Sequence, residues 1–328
     1  MSADAERRSR LLSLKLRALV RDHIGGADDP GAIPEVFAPG ALLESHGATW
    51  ALIDGDPAPS LGAVLARALR RDLPLHVLVE RNSGVIARRA SLFDLDLQVW
   101  HVDDNSLLPA VPEPHLVQRD PDPAHLALAP VIESAGADVV VEHGVVTGEV
   151  RGLEMCRVVD DVAGGSARLE VGMGVHDRET FAMVHGDEPV DASLRRVIES
   201  VAAHRREGAD PHPFNRFGAE RMLRWTATRD PGRIGFAELA PSEPPVPRTN
   251  VKDSVPCVAT GRDAEGNAGC VVFVHGVVLD AVPFAVDAAD RAGLSTVTVA
   301  MRRRDLVASH EAMAARSRVR VRFALLDD

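Results

Sequence analysis

The chain has 328 residues, 45% of them hydrophobic and 26% charged, with a formal net charge of −11. That balance fits a soluble globular protein of about two domains and argues against a general nucleic-acid binder, which would present a basic domain. No apolar run approaches the roughly 20 residues that span a bilayer, and the charged start Met1–Arg10 differs from a signal peptide, so the expected location is the cytoplasm, with no membrane partner.

Residues 3–24 carry Leu12, Leu16, Leu19, Val20 and His23 at helical spacing before Gly25-Gly26, which predicts an amphipathic helix with a glycine stop. The Pro- and Gly-rich stretch 27–40 reads as a loop. A βαβαβ run follows, with strands over 49–54, 75–80 and 97–103 and helices over 60–71 and 84–93. Its strands are short and apolar on both faces, as buried parallel strands are. Residues 107–124 hold five prolines and read as a boundary.

The middle segment alternates differently. A short helix over 126–134 precedes strands over 137–142, 145–159 and 167–175, with a turn at Gly164-Gly165, so an antiparallel meander is expected. Helices over 191–207 and 213–228 close it. A second proline-rich connector, 240–250, leads to strands over 270–275, 296–300 and 319–326, alternating with helices over 280–292 and 306–317. This repeats the first run at nearly the same spacings. Side-chain identity between the runs is low, leaving duplication and independent use of a common α/β rhythm both open. The expectation is an α/β fold in which two βαβαβ, Rossmann-like runs bracket an α+β middle segment. The corresponding parts are 1–120, 121–235 and 236–328, with the terminal runs packed together or sharing one sheet and their crevice facing the middle segment.

Absences narrow the chemistry. The sequence contains no tyrosine, and its lysines are Lys15 and Lys252. Neither lysine follows the glycines of a GxxxxGK[ST] phosphate loop, no GxSxG elbow occurs, and Gly172-Met173-Gly174 has Asp177 where a dinucleotide fingerprint needs its third glycine. Cys156, Cys257 and Cys270 form no CxxC pair, which predicts reduced, buried thiols. Lys252 is the candidate for amine chemistry. His143, His176, Asp177 and His185 are the nearest histidine grouping, without the compact spacing of a zinc motif.

In parallel sheets ligands bind beyond the carboxyl ends of the strands. There the first run offers Asp54, Asp56 and Glu80, and the second His275, Arg302, Arg303 and Arg304. Asp54 and Asp56 would suit magnesium as hard oxygen ligands, and the arginines would grip a phosphate. The same residue types also end strands and cap helices for local reasons. A second basic stretch comprises Arg195, Arg196, His204, Arg205, Arg206, Arg216, Arg221, Arg224 and Arg229 with Phe214, Phe217 and Trp225. It would meet a single-stranded nucleic acid, although the rings also fall at core spacing.

The middle segment, with Glu133 on its first helix, Glu149 and Glu154 on the second strand and Glu170 on the third, resembles the PD-(D/E)xK nuclease core in element order. The resemblance implies Glu133, Glu149 and Glu170 as catalytic carboxylates, Glu149 and Glu170 holding magnesium to activate water. It departs from the family pattern at the lysine, because Arg151 follows Glu149 and Gly172 follows Glu170. Within one strand, 149 and 154 would also point to opposite faces. Three expectations follow: a binding or regulatory protein for a phosphate-bearing or nucleotide-like ligand, a magnesium-dependent phosphodiesterase, and a protein-interaction scaffold.

Overall fold

In the computed structural model, which describes residues 3–26, 29, 31–56, 59–161, 166–185, 189–205, 212–248 and 255–327, the protein is an α/β molecule with three sheets. Helix α1 (Ala3–Ile24) buries Leu16, Leu19 and Val20, the stripe its spacing predicts. A strand forms inside the stretch expected as a loop, and another directly after it: β1 (Glu35–Phe37) and β2 (Gly40–Ser45) precede β3 (Ala48–Ile53), and successive strands pair antiparallel. Their signal was hidden because β1 is only three residues long and flanked by Pro34 and Pro39. The first run continues through α2 (Leu61–Ala68), β4 (Leu75–Val79), α3 (Ser83–Ser91) and β5 (Leu97–Asp103), with β3, β4 and β5 as parallel neighbours. The proline-rich boundary opens with another strand, β6 (Ser106–Pro109), antiparallel to β5.

Helices α4 (Pro123–Leu126) and α5 (Ala129–Ser134) lead into a four-stranded antiparallel sheet of β7 (Asp138–Glu142), β8 (Val145–Val150), β9 (Leu153–Asp160) and β10 (Ala167–Val171), in the order β10-β9-β8-β7. The expected strand 145–159 is thus two strands, divided at Arg151-Gly152. Both residues have positive φ, 48° and 81°, which suits a tight two-residue hairpin, but an arginine in that position gives no turn signal. The strand expected to reach Val175 stops at Val171, and helix α6 (Val175–His185) begins instead. The Gly164-Gly165 turn, Lys252 and Arg206 lie outside the described residues. Helix α7 (Val190–His204) follows, and then the helix expected over 213–228 divides into a 3-10 turn (Pro213–Arg216) and α8 (Ala219–Arg229) at Gly218, whose φ is 55°. A Cβ at Gly218 would sit 2.8 Å from Gly152 O, so the close approach of hairpin and helix excludes a side chain there.

The third sheet contains β11 (Phe236–Ser242), β12 (Cys257–Asp263) and β13 (Ala268–Phe273), then, after α9 (Ala281–Arg291), β14 (Thr296–Arg302) and, after α10 (Ala308–Ala315), β15 (Arg320–Leu326). Its order, β11-β12-β13-β14-β15, matches β1-β2-β3-β4-β5. β11, β12 and β13 pair antiparallel and β13 runs parallel to β14. The repeat therefore reaches further upstream than the βαβαβ pattern: α1 lies on β1, β2 and β3, and α8 on β11, β12 and β13. Each copy reads helix, three antiparallel strands, helix, strand, helix, strand.

The chain divides into two units, one of residues 1–115, 277–297 and 304–322 and one of 116–276, 298–303 and 323–328. In the first, Leu16, Leu19, Leu43, Trp50, Leu52 and Leu78 form a core. The second holds two, one around Ile132, Val146, Met155 and Leu194 and one around Cys257, Val271 and Phe273. All three cysteines are buried and free, and burial pushes each thiol up to about 12, which keeps them unreactive. Among the described residues no helix is long and apolar enough to cross a membrane.

Candidate functional site

The β8–β9 hairpin determines where the middle carboxylates go. Because the chain turns at Arg151-Gly152, Glu149 and Glu154 stand directly opposite each other on neighbouring strands, and opposed residues share a sheet face. They are not on opposite faces, as a single strand would require. A register shift follows between Gly148 and Glu149. Gly148 itself is packed so closely that a Cβ would meet Cys156 Sγ at 2.5 Å and Ile132 Cγ2 at 2.6 Å.

Both carboxylates are buried, and both are taken by arginines. Helix α8 presents Arg221 and Arg224 on one face, being three residues apart. Arg221 Nη1 donates to Glu149 and Nη2 to Glu142. Arg224 Nη1 donates to Glu142 Oε1 at 2.7 Å, and Nη2 lies 3.4 Å from Glu149 Oε2. Burial pushes the Glu142 carboxyl up, but the charges of Arg221 and Arg224 outweigh it and leave the group at about 2. Burial likewise opposes the charge on Arg221, and Glu149 and Glu142 more than restore it. Glu154 has its own arginines: Arg178 Nη1 at 3.3 Å, Arg157 Nε at 3.1 Å and Arg248 Nη2 at 3.2 Å. Glu170 joins that second group, accepting from Arg178 Nε at 3.2 Å and from Arg168.

A pocket of about 310 Å³ adjoins the first group. Its charged lining is Glu133, Asp138, Glu149, Arg221, Arg224 and Arg229, with Trp225 as an aromatic wall. Asp138 accepts from Trp225 Nε1 at 2.8 Å and from Arg229 Nη2 at 2.7 Å. The Arg229 guanidinium lies 4.0 Å from the centre of the Trp225 ring, a cation–π contact. Glu133 is exposed, and Arg221 Nε, deep in the cluster, has no hydrogen-bond partner.

Of the three carboxylates expected to act together, Glu133 and Glu149 therefore line one pocket, while Glu170 shares Arg178 with Glu154 instead. Among the described residues no group of three or more His, Cys, Asp or Glu side chains is arranged to hold a metal ion, and guanidiniums occupy the oxygens a cation would need. At the first-run strand ends, Asp54 accepts from Arg8 Nε at 2.6 Å and Glu80 from Lys15, while the Asp56 carbonyl accepts from Ser60 Oγ at 2.9 Å. His275, Arg302 and Arg303 belong to the second unit and Arg304 to the first. Arg302 Nε is buried without a hydrogen-bond partner.

The arginine-rich stretch is split in its roles. Arg195, Arg196 and Arg216 are exposed, whereas Arg205, Arg221 and Arg224 are buried. Arg205 Nη1 donates to Phe214 O at 2.6 Å and Phe217 O at 2.9 Å, and Nη2 to Arg151 O at 2.9 Å and Gly218 O at 3.3 Å. Burial lowers its guanidinium to about 10. Phe214 and Phe217 pack against the middle core, as their spacing suggested. His143 lies 3.2 Å from Glu243 and His176 3.5 Å from Glu179, and Asp177 accepts from Met173 N at 2.8 Å; His185 is outside the described side chains. Sequence reasoning missed Glu142, Asp138 and Arg248, whose partners lie far along the chain; the available signal was the pair of arginines three apart on α8. Compared with family models, curated proteins and solved structures, the chain finds no significant match.

Proposed function

We propose that the protein is a small-molecule binding protein rather than a catalyst, and that its ligand is phosphate-bearing and about the size of a mononucleotide. The observation that carries this reading is that one face of α8 turns Arg221, Arg224, Trp225 and Arg229 to a single cavity of about 310 Å³. That volume is at the lower end of ligand pockets. Arginine forks suit phosphate oxygens, and the Trp225 ring offers a stacking surface once Arg229 swings off it. Arg229 is half exposed, so exchanging Asp138 for a phosphate requires no buried charge to be stripped of its partner. The unpaired Arg221 Nε is a donor whose isolation is costly and which a ligand acceptor would satisfy.

The test is calorimetric titration of the full chain with AMP and with inorganic phosphate. AMP is expected to bind saturably, about tenfold more weakly to Arg229→Ala, and unchanged in Arg303→Ala/Arg304→Ala. Absence of binding by either probe, or equal AMP affinity in Arg229→Ala, would overturn the proposal. Loss of binding in the Arg303/Arg304 variant would return the site to the strand-end arginines. Magnesium is expected to leave the AMP affinity unaltered.

A further inference from the structure

Helices α2, α3, α9 and α10 pack together in the first unit, α3 with α9, α2 with α10, and α2 with α9. Since α2 and α9 each follow the third strand of their copy, and α3 and α10 the fourth, these contacts between the copies map onto one another when the copies are exchanged; within a copy the match is looser, α9 packing on α10 more closely than α2 on α3. Just past α3 and α10, Phe93 and Ser317 form an antiparallel bridge. Asp94 N donates to Arg316 O at 2.7 Å and Arg318 N to Leu92 O at 2.8 Å, so the bridge is also the same when read from either copy.

The buried charges break this symmetry. Helix α3 contributes the guanidiniums, Arg88 and Arg89, and α9 with its N-cap residue contributes the carboxylates, Asp287 and Asp280. Arg88 Nε donates to Asp287 Oδ1 at 2.8 Å, Arg89 Nε to Asp287 Oδ2 at 2.9 Å and Arg89 Nη1 to Asp280 Oδ2 at 3.0 Å. Asp280 Oδ1 accepts from Gly62 N at 2.8 Å. All four side chains are buried. Counting back from the Phe93–Ser317 pair, the α10 positions that match Arg88 and Arg89 are Ala312 and Met313, so no second charge cluster mirrors the first.

We infer that this cluster is an address, which makes the α2–α3 face of the first copy accept the α9–α10 face of the same chain and reject the α2–α3 face of a second molecule. Two α3 helices brought together would bury four guanidiniums without a carboxylate, and two α9 helices would gather carboxylates without a guanidinium. Like charges without partners are strongly disfavoured away from water, whereas the shared element order and the matching contacts between the two copies would otherwise permit such pairing. This is discrimination by repulsion. Pairing between equivalent faces of identical chains is the usual route to a twofold dimer, and the charge segregation closes it.

Rewriting the address tests it. Arg88→Asp/Arg89→Asp makes one chain all-acidic in the cluster, and Asp280→Arg/Asp287→Arg makes another all-basic. Neither is expected to refold alone to its native mass, while co-refolding a 1:1 mixture is expected to give a heterodimer by size-exclusion chromatography with light scattering. Native refolding of either chain alone, or a mixture that yields no heterodimer, would overturn the inference. In the apolar variant Arg88→Met/Arg89→Met/Asp280→Asn/Asp287→Met, the oligomeric fraction after refolding is expected to rise at least threefold over the parent protein. An unchanged mass distribution in that variant would also overturn it.

Discussion

In the first unit, Arg89 pairs with both Asp280 and Asp287 and Arg88 with Asp287, so every carboxylate of the group is engaged. In the second, Arg221 and Arg224 each pair with both Glu142 and Glu149, but a pocket borders the group and Glu133 and Arg229 stand exposed at it. The same chemistry thus serves two ends. A buried ion pair adds little net stability over apolar packing, yet removing one partner is severe because the other charge is left unpaired. A closed cluster enforces that penalty fully. A cluster beside a cavity can relieve part of it with water, and can exchange a partner for a ligand.

The largest effect should come from the closed cluster: Asp287→Ala is expected to lower the unfolding free energy by about 3–5 kcal/mol in urea. The next concerns pH. Burial pushes Asp280 up to about 7, while in Asp287 the hydrogen bonds and charges of Arg88 and Arg89 outweigh the effect of burial and hold it low. A carboxyl with its folded value raised above the unfolded one contributes stability that is fully present below about pH 4 and lost as pH rises through about 7. The unfolding free energy should therefore fall relative to that of Asp280→Asn across this range, by on the order of 4 kcal/mol. Equal pH profiles would refute the assignment. At the pocket, Glu149→Ala should cost less, about 1–2 kcal/mol, because water from the adjoining cavity can follow into the space left beside the buried arginines; a loss as large as for Asp287→Ala would erase the contrast between the clusters.

Smaller effects lie on the face of the first sheet that α1 covers and at its rim. His76 stacks on Trp50 with ring centres 4.0 Å apart and accepts from Trp100 Nε1 at 3.0 Å. Burial, then the neighbouring His23, lowers its pKa, against a raising effect of Asp96. A histidine kept neutral by the fold contributes stability that is present above its unfolded value of about 6.5 and is lost as pH falls through it, so acid melting should begin earlier in the parent protein than in His76→Phe. Glu80→Gln, which removes an exposed pair with Lys15, should change stability by about 0.5 kcal/mol or less.

How much of this could be read in the sequence follows from the range of the forces involved. Helices and parallel strands of the terminal runs are written locally, in the period of apolar residues from Thr49 to Asp103 and from Cys270 to Leu326, and their bounds in the structure differ by only a few residues. The antiparallel strands β1 and β11 were hidden by prolines at 34, 39 and 241, and α6 by a sequence that also reads as a strand end. The candidate pocket was half legible. Glu133 and Glu149 were named for their carboxylates, but Arg221 and Arg224 looked like part of a basic surface, because nothing local reveals that they meet acids more than 70 residues away. The hairpin at Arg151-Gly152 was equally opaque, and it alone decides which carboxylates share a face.

The four carbonyls held by Arg205 carry a kinetic consequence. They belong to the β8–β9 turn, the 3-10 turn and the start of α8, three segments that a single guanidinium ties to the end of α7. None can move away without breaking bonds that the others also depend on, so these segments should open as one cooperative unit. In native-state hydrogen exchange, the Phe217 and Met222 amides, which bond to Phe214 O and Gly218 O, should then exchange at a common rate, and the wall of the pocket that α8 provides should come and go with them.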